Sequence, residues 1–349
     1  MNKKRNQTGR IIVLLTIIII AFIGWNLFGP SVKSSKGKYF YISTGSDFNQ
    51  VKQDLLSQHI LSGTFFFDEL SKYSKYEKNV RPGRYKLEDG MSVFSLVRML
   101  RSGRQSPVNL NIVKIRTREE LAKKLGDNFE FDSLTAINFL SNKDSLSKYD
   151  LDTNTVMTAI IPDNYIFQWN TTFGKVFKKL YSQQQKFWNT SRVQKASQHD
   201  LSKTEVYILS SLVEEETNKA SDKPKIASVY INRLHQNMKL AADPTVKFAM
   251  RDFGLKRIYY KYLSYPSDYN TYLHTGLPPG PICTPSARTI DAVLDAPSTS
   301  YLFFVAKPDF SGYSNFATNF SEHDRFAKEY QKALDSLILA KSNKTTEAQ

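Results

Sequence analysis

The hydrophobic and polar positions of this chain change period several times, and each change marks a candidate element. Ile11 to Phe28 is an uncharged run of eighteen residues dominated by Ile, Leu, Val and Phe, and it follows a basic tip carrying Lys3, Lys4, Arg5 and Arg10. A helix of that length crosses a hydrocarbon core. No small-x-small cleavage site follows Gly24-Trp25-Asn26, so the run reads as a retained anchor rather than a cleaved signal. The basic tip before it and Trp25 near its far end predict a single pass of the cytoplasmic (inner) membrane, with the N-terminus in the cytoplasm and residues 31 onward outside.

Residues 31–38 (SVKSSKGK) are small, polar and basic, the composition of a flexible spacer. Tyr39 to Thr44 then alternates as a strand does. Ser46 stands where it can cap a helix whose apolar positions Phe48, Val51, Leu55 and Leu56 recur at helical spacing. A second helix fits Phe65 to Tyr76, Pro82-Gly83 turns into the strand-like Arg84 to Leu87, and Ser92 opens a helix closed by Ser102-Gly103. With strand-like Val108 to Val113, this predicts a small mixed α/β module over 39–113.

From Arg116 the period is helical. Thr117 caps Arg118 to Leu125, Ser133 opens a helix through Leu140, and a linker-like stretch holds Ile161 to Tyr165. Phe173 to Trp188, Lys203 to Thr217, and Lys223 to His235 with Pro224 in its first turn read as long helices. Ser264 to Pro285, rich in Tyr, Gly and Pro, reads as loop, and the polar tail is expected to fray after about Leu339. The fold class is thus α+β: an N-terminal transmembrane helix with its cytoplasmic tip (1–30), the spacer (31–38), the module (39–113), a mainly helical α+β domain with a loop-rich cleft (114–340), and a polar tail (341–349).

Composition narrows the chemistry. Cys283 is the only cysteine, so no intrachain disulfide, lipid-modified N-terminal cysteine or thiolate cluster is expected. The five histidines show no H-x-x-x-H or H-E-x-x-H spacing and no G-x-S-x-G occurs, which points to chemistry without metal, cofactor or serine nucleophile. A net charge of +15 would suggest nucleic acid in a cytoplasmic protein, but the predicted topology removes that partner. Anionic lipid headgroups, an anionic wall polymer, or a merely solubilising surface remain, since the lysines are scattered.

One acidic residue stands out. Glu214-Glu215-Glu216 ends the helix Lys203–Thr217, and on a helical wheel Val206, Leu209, Leu212 and Val213 form an apolar stripe whose next position is Glu216. Glu214 and Glu215 fall to either side of it. A carboxyl on a core-facing stripe is desolvated, and its raised pKa suits a general acid near neutral pH. Taken alone, the pattern more often marks a buried ion pair or a helix-end accident.

The stretch SSLVEEETNKASDKPKIASVYINRLHQNMKLAADPTVKFAM, followed by YNTYLHTGLPPGPICTP, resembles the endolytic lytic transglycosylases of bacterial cell walls, the MltG or YceG-like family. RPGRYKLEDGMSVFSLVRMLRSG resembles that family's small LysM-like module. The family's acid/base is the second glutamate of an E-x-E-T motif, here Glu214-Glu215-Glu216-Thr217, which implies Glu216, the residue the wheel selects. The resemblance further implies that Glu216 protonates the glycosidic oxygen between N-acetylmuramic acid and N-acetylglucosamine, then takes the proton of the muramic C6 hydroxyl as a 1,6-anhydro ring closes. Ordinary glycosidases use two carboxyl groups; this reaction needs one.

The motif neighbours Glu214 and Thr217, and Asn232, Arg233, Asp243, Thr245, Tyr269, Asn270, Thr271 and Tyr272, match family motif positions and are candidates for holding the sugar. Other roles stay open for them: Arg233 as partner of an acidic residue, Asp243 as a helix cap. Gly276 to Pro281 reads as a rigid loop, and His323, near Asn319 in a family-like stretch, as a surface or core histidine that is also a candidate for substrate contact. Where family members commonly place Gln and then Ser or Thr before D-P-T-V, this chain has Ala241-Ala242, which leaves glycan contacts along that edge in doubt. The implied partners are peptidoglycan glycan strands, the membrane and peptidoglycan synthases, with the LysM-like module either binding glycan or acting as a spacer. A muramidase-type hydrolase using the same Glu216, and a non-catalytic wall-binding scaffold, are the alternatives.

Overall fold

The computed structural model describes residues 2–34, 38–255 and 257–346, and the fold is helix-rich α+β. Its elements in chain order are α1 (Asn2–Phe28), β1 (Tyr39–Ile42), α2 (Phe48–Ser57), α3 (Phe65–Tyr73), β2 (Gly83–Lys86), α4 (Val93–Ser102), β3 (Val108–Asn111), α5 (Arg118–Gly126), α6 (Ser133–Ser141), α7 (Lys143–Ser147) and β4 (Asn164–Phe167). There follow α8 (Phe173–Phe187), α9 (Thr190–Gln198), α10 (Lys203–Glu216), α11 (Lys223–His235), α12 (Asp243–Ala249), α13 (Tyr260–Leu263), α14 (Ala287–Leu294), β5 (Phe303–Ala306), β6 (Ser314–Ala317) and α15 (Phe320–Thr346). The chain divides into two compact units.

The first unit comprises residues 1–110 with two returns, 128–131 and 165–172. Within α1, Gly9–Phe28 is twenty residues long with a mean hydropathy of 2.7, long and apolar enough to cross a membrane. β1 and β2 pair antiparallel, Tyr39 opposite Lys86 and Ile42 opposite Gly83. Alternation sends Phe40 and Ile42 inward, where they join Val51, Leu55, Phe67, Tyr85, Leu96 and Leu100 in a closed core. Asp47, not the expected Ser46, caps α2, its carboxylate accepting the Gln50 N–H at 2.8 Å. The returns are held by specific bonds: Glu130 accepts from the Thr44 N–H and hydroxyl at 2.5 and 2.6 Å, and Trp169 packs edge-on against Tyr41.

The spacer differs from expectation at its start. Val32 is buried, Ser31 and Val32 donate their N–H groups to the Met91 carbonyl, and Lys33 donates to that of Ile60. One apolar residue in a polar string suffices to dock it; Ser35 to Gly37 lie outside the described residues.

The second unit comprises residues 111–127, 132–164 and 173–349. α10 is its central helix, opened by a capping box in which Ser202 and Glu205 satisfy each other's backbone N–H groups. All eight residues from Val206 to Val213 are buried, so the helix is enclosed all round rather than along one stripe. Ser210 and Ser211 are accommodated there because their hydroxyls bond back to the carbonyls of Val206 and Ile208. α11 and α14 supply the facing core residues Ile226, Ala227, Tyr230, Ile290, Val293 and Leu294. β5 and β6 form an antiparallel hairpin, Phe303 opposite Ala317. The loop 264–285 passes so close to Asn154 that a Cβ on Gly280 would lie 2.1 Å from the Asn154 carbonyl oxygen, which no other residue tolerates. α15 continues to Thr346, past the point near Leu339 where the tail is expected to fray; residues 347–349 are not among those described.

Candidate active site

The last turn of α10 presents three adjacent glutamates to three surroundings. Glu214 accepts from Lys223 Nζ at 2.9 Å, from the Thr289 hydroxyl, and from Ser286 at 3.3 Å. Glu215 is clamped by Lys114 and Arg116, each at 3.1 Å. Glu216 has no cation within ion-pair distance among the described residues; its Oε1 accepts the Tyr230 hydroxyl at 2.6 Å. All three are partly buried, so the wheel's premise that Glu214 and Glu215 fall away from the core does not hold. Their partners, rather than their exposure, set them apart.

Glu216 lines a pocket of about 370 Å³. Arg233 reaches it from the same α11 that carries Tyr230, and its guanidinium donates to the carbonyls of Leu302 and Leu240 at 2.7 and 2.8 Å, not to a carboxylate. Asp243, first residue of α12, also lines it; its carboxylate accepts the Tyr272 hydroxyl at 2.7 Å, and Ala242 occupies the cap position, so Asp243 is not the helix cap. Phe303 and Phe304 of β5 with Phe320 and His323 of α15 close the remaining side. His323 stacks on Phe303 with ring centroids 5.2 Å apart. Its Nδ1 is buried and meets no hydrogen-bond partner among the described residues.

Of the residues singled out by sequence, the pocket gathers Glu216, Arg233, Asp243, Tyr272 and His323, with Ala241 in its lining. The others serve the backbone around it. Thr217 ends α10 and its hydroxyl accepts the Lys219 N–H. Asn232 donates to the carbonyls of Thr299 and Tyr301, both at 2.9 Å, holding the segment that leads into β5. Asn270 is buried and pins Leu263 and Tyr265. Thr245 and Thr271 are buried against each other, 2.9 Å between hydroxyls, and Thr271 accepts the N–H of both Ala241, through its carbonyl, and Ala242, through its hydroxyl. Tyr269 packs on Phe248. Glu214 borders a different hollow, beside Lys114 and Ser286.

The turn held by Thr271 is strained: Ala241 has φ +50, a left-handed conformation unusual for a residue with a Cβ. Ala241 lines the pocket, whereas Ala242 is 1% exposed and part of the core. Only the first of the two departures from the family pattern therefore faces the pocket. Tyr230, Phe303, Phe304 and Phe320 are pocket residues that pattern alone does not flag, since an aromatic on an apolar helix or strand reads as core; a tyrosine hydroxyl that must find a buried partner is the one signal Tyr230 offers.

The electrostatics follow from this geometry. Burial pushes the Glu216 carboxyl up to about 7; the Tyr230 hydrogen bond opposes that, and the negative charge of Asp243 adds to it. Burial also raises Tyr230 and Tyr272 and lowers His323. A carboxyl so placed is partly protonated at neutral pH, able to give a proton and take one back. Among the described residues no group of three or more His, Cys, Asp or Glu side chains is arranged to hold a metal ion.

A Bacillus subtilis (strain 168) protein named endolytic murein transglycosylase is 28% identical over 324 residues, covering 88% of this chain and 89% of its own length. A protein of the same name from Streptococcus pneumoniae (serotype 2, strain D39) is 26% identical over 329 residues, covering 83% of this chain; this chain spans 57% of its length. The crystal structure of a yceG-like protein from Listeria monocytogenes shares the fold, with a TM-score of 0.54, 23% identity, and coverage of 84% of this chain and 99% of that one. The family model described as YceG-like matches residues 40–329, the greater part of the sequence, and the chain belongs to the YceG-like family.

Proposed function

We propose that this chain is a lytic transglycosylase that cuts peptidoglycan glycan strands internally, with Glu216 as acid and then base. The observation that carries the reading is the pairing of a partly buried Glu216, pushed up to about 7, with Tyr230 rather than with a cation, beside a pocket of sugar size. The names of the relatives agree with it. Protonated Glu216 gives its proton to the oxygen joining muramic C1 to the next sugar. As the C1–O bond breaks, positive charge builds at C1, and the new carboxylate stabilises it. The muramic C6 hydroxyl attacks C1, its proton returns to Glu216, and a 1,6-anhydro end forms. No water is consumed, so each product pair weighs as much as its parent. Tyr230 orients the carboxyl, and Phe303 and Phe304 offer apolar faces to the sugar rings.

In this reading Gly9–Phe28 spans the cytoplasmic membrane, the basic tip stays in the cytoplasm, and residues 31 onward lie outside. The first unit acts as a LysM-like module that holds nascent strands near the membrane, and the wall synthases are partners. One observation favours a second reading: Asp243 shares the pocket with Glu216, and two carboxyl groups are what a muramidase-type hydrolase uses. Incubating the full-length protein in detergent with purified peptidoglycan, beside its Glu216→Gln variant, separates these readings by mass spectrometry. Anhydro ends with wild type only support the proposal; reducing ends favour the hydrolase; equal cutting by the Gln variant removes Glu216 from the chemistry.

A further inference from the structure

Two hollows of the first unit lie against α3 and share Leu70. One, about 390 Å³, has Phe94, Val97, Arg98 and Arg101 in its lining. The other, about 430 Å³, joins Phe65, Phe66 and Tyr73 to Phe22, Ile23 and Leu27 of α1. Phe65 is 70% and Tyr73 87% exposed, a cost in water that a face turned to water would not carry without use.

The position of α1 says what covers this face. Phe28 packs on Phe94 with centroids 5.2 Å apart, and Phe22 meets Phe66 edge-on at 6.2 Å. Phe22 lies six residues inside the end of the apolar run, about 9 Å below Phe28 at the helical rise. With Phe28 at the acyl–headgroup boundary, whatever touches Phe22 is then at the level of the upper acyl chains. The backbone bonds of Ser31 to Lys33 onto Met91 and Ile60 leave no slack next to α1 for the face to lift away. Charge fits as well. Neither Arg98 nor Arg101 has a carboxylate partner among the described residues, and Glu69, which borders the second hollow, is neutralised by Lys72 at 2.9 Å.

We propose that the α3–α4 face of the first unit is seated in the outer leaflet of the membrane, with Phe65, Phe66 and Tyr73 among the upper acyl chains and Arg98 and Arg101 on the phosphates of anionic phospholipids. The inference rests on reading Gly9–Phe28 as a span. It makes the leaflet a second binding site of the protein, separate from the pocket of Glu216, and gives the unit a fixed height and orientation on the bilayer.

The test uses the full chain in nanodiscs, with buried Cys283 replaced by Ala and single cysteines carrying an environment-sensitive fluorophore. The labelled positions are Phe65→Cys, Tyr73→Cys, Ile17→Cys in the middle of the span, and Asn109→Cys, an exposed residue of β3 that lines neither hollow. Doxyl lipids are expected to quench the labels at 17, 65 and 73 at least about threefold more than that at 109, with aqueous iodide showing the reverse order. In discs containing phosphatidylglycerol, Arg98→Ser with Arg101→Ser is expected to lower lipid quenching at 65 by about twofold, and in pure phosphatidylcholine to change it little. If iodide reaches 65 and 73 as it reaches 109 while 17 stays in lipid, the proposal fails and the span stands. Iodide reaching 17 instead overturns the span. Shielding of 65 and 73 from both quenchers means that protein covers the face, which also overturns the proposal, and no effect of the double arginine change removes the phosphate contacts.

Discussion

Glu215 and Glu216 are neighbours in the chain, both partly buried at the end of α10, and the protein holds their protons in opposite ways. Burial alone would raise both. At Glu215 the hydrogen bonds and charges of Arg116 and Lys114 outweigh burial and hold the carboxyl below its ordinary 4.5. At Glu216 the tyrosine hydroxyl is the main opposition to burial, the charges of Lys247 and Arg233 add less, the Asp243 carboxylate works the other way, and the group rises to about 7. The partner decides, not the depth: a cation fixes a charge, whereas a neutral donor leaves a proton that can move.

The largest test of that contrast is activity. Glu216→Gln is expected to lower glycan cleavage about 10³-fold, the scale of a lost general acid, measured as released anhydromuropeptides per folded molecule. Glu215 does not line the pocket of Glu216, and Glu215→Gln should keep that rate within about threefold. Comparable losses in both variants would mean the pair acts as one network and the contrast is false.

Stability should separate them with opposite signs. A carboxyl whose folded pKa is raised favours folding below its unfolded value of 4.5 and loses that contribution as pH rises through about 7. Glu216→Gln removes the cost, so it should stabilise the protein by on the order of 2 kcal/mol at pH 8 and by nearly nothing at pH 4. A lowered carboxyl contributes above its unfolded value and loses the contribution on acidification. Glu215→Gln leaves Lys114 and Arg116 facing each other and should destabilise by ~1–2 kcal/mol at pH 8, with the deficit shrinking toward pH 4. Denaturant titrations at the two pH values check both signs.

Part of this was open to inspection in the letters. The apolar period delimits α10, and Pro224 marks the start of α11, because such signals are local. The wheel points to Glu216, yet its reason is incomplete, since Ser210 and Ser211 sit buried on the face it leaves to water, their hydroxyls absorbed by the helix backbone. The polar string around Asn270 and Thr271 looks like sugar-binding chemistry. A hydroxyl turned onto a backbone amide and one turned into a pocket are spelled alike, and the structure turns these onto amides. Phe303, Phe304 and His323 reach the pocket across 87, 88 and 107 residues of chain from Glu216, a closure that no local period encodes. The returns at 128–131 and 165–172 are hidden for the same reason.

Tyr230 sharpens the comparison at smaller scale. Its hydroxyl is the main opposition to the burial of Glu216, so Tyr230→Phe should raise that carboxyl further. In the proposed mechanism Glu216 starts protonated, so activity is expected to fall as pH rises through its pKa. The alkaline limb of kcat/KM should therefore move up by roughly 0.5–1 pH unit, with a modest fall in kcat from the less well-oriented acid. A limb that moves down, or stays, would detach Tyr230 from the proton's control.

The smallest effect concerns Ala241-Ala242. Positions 241 and 242 carry two methyl groups, but only the Ala241 methyl borders the pocket, and Ala242 is enclosed with Leu240 in the core. An amide placed at 241 sits beside Asp243 and Arg233 at the pocket wall. Because the backbone there is already left-handed, held by Thr271 rather than by the residue's own preference, the added side chain introduces little new strain. Ala241→Gln is expected to lower KM for long glycan strands about two- to threefold, less than 1 kcal/mol, with kcat and the pH limb unchanged. The same change at 242 would bury an unpaired amide and cost ~2 kcal/mol of stability with no gain in KM. Equal behaviour at the two positions would show that the turn does not separate them as Thr271 and Thr245 hold it, and that the edge of the pocket lies elsewhere.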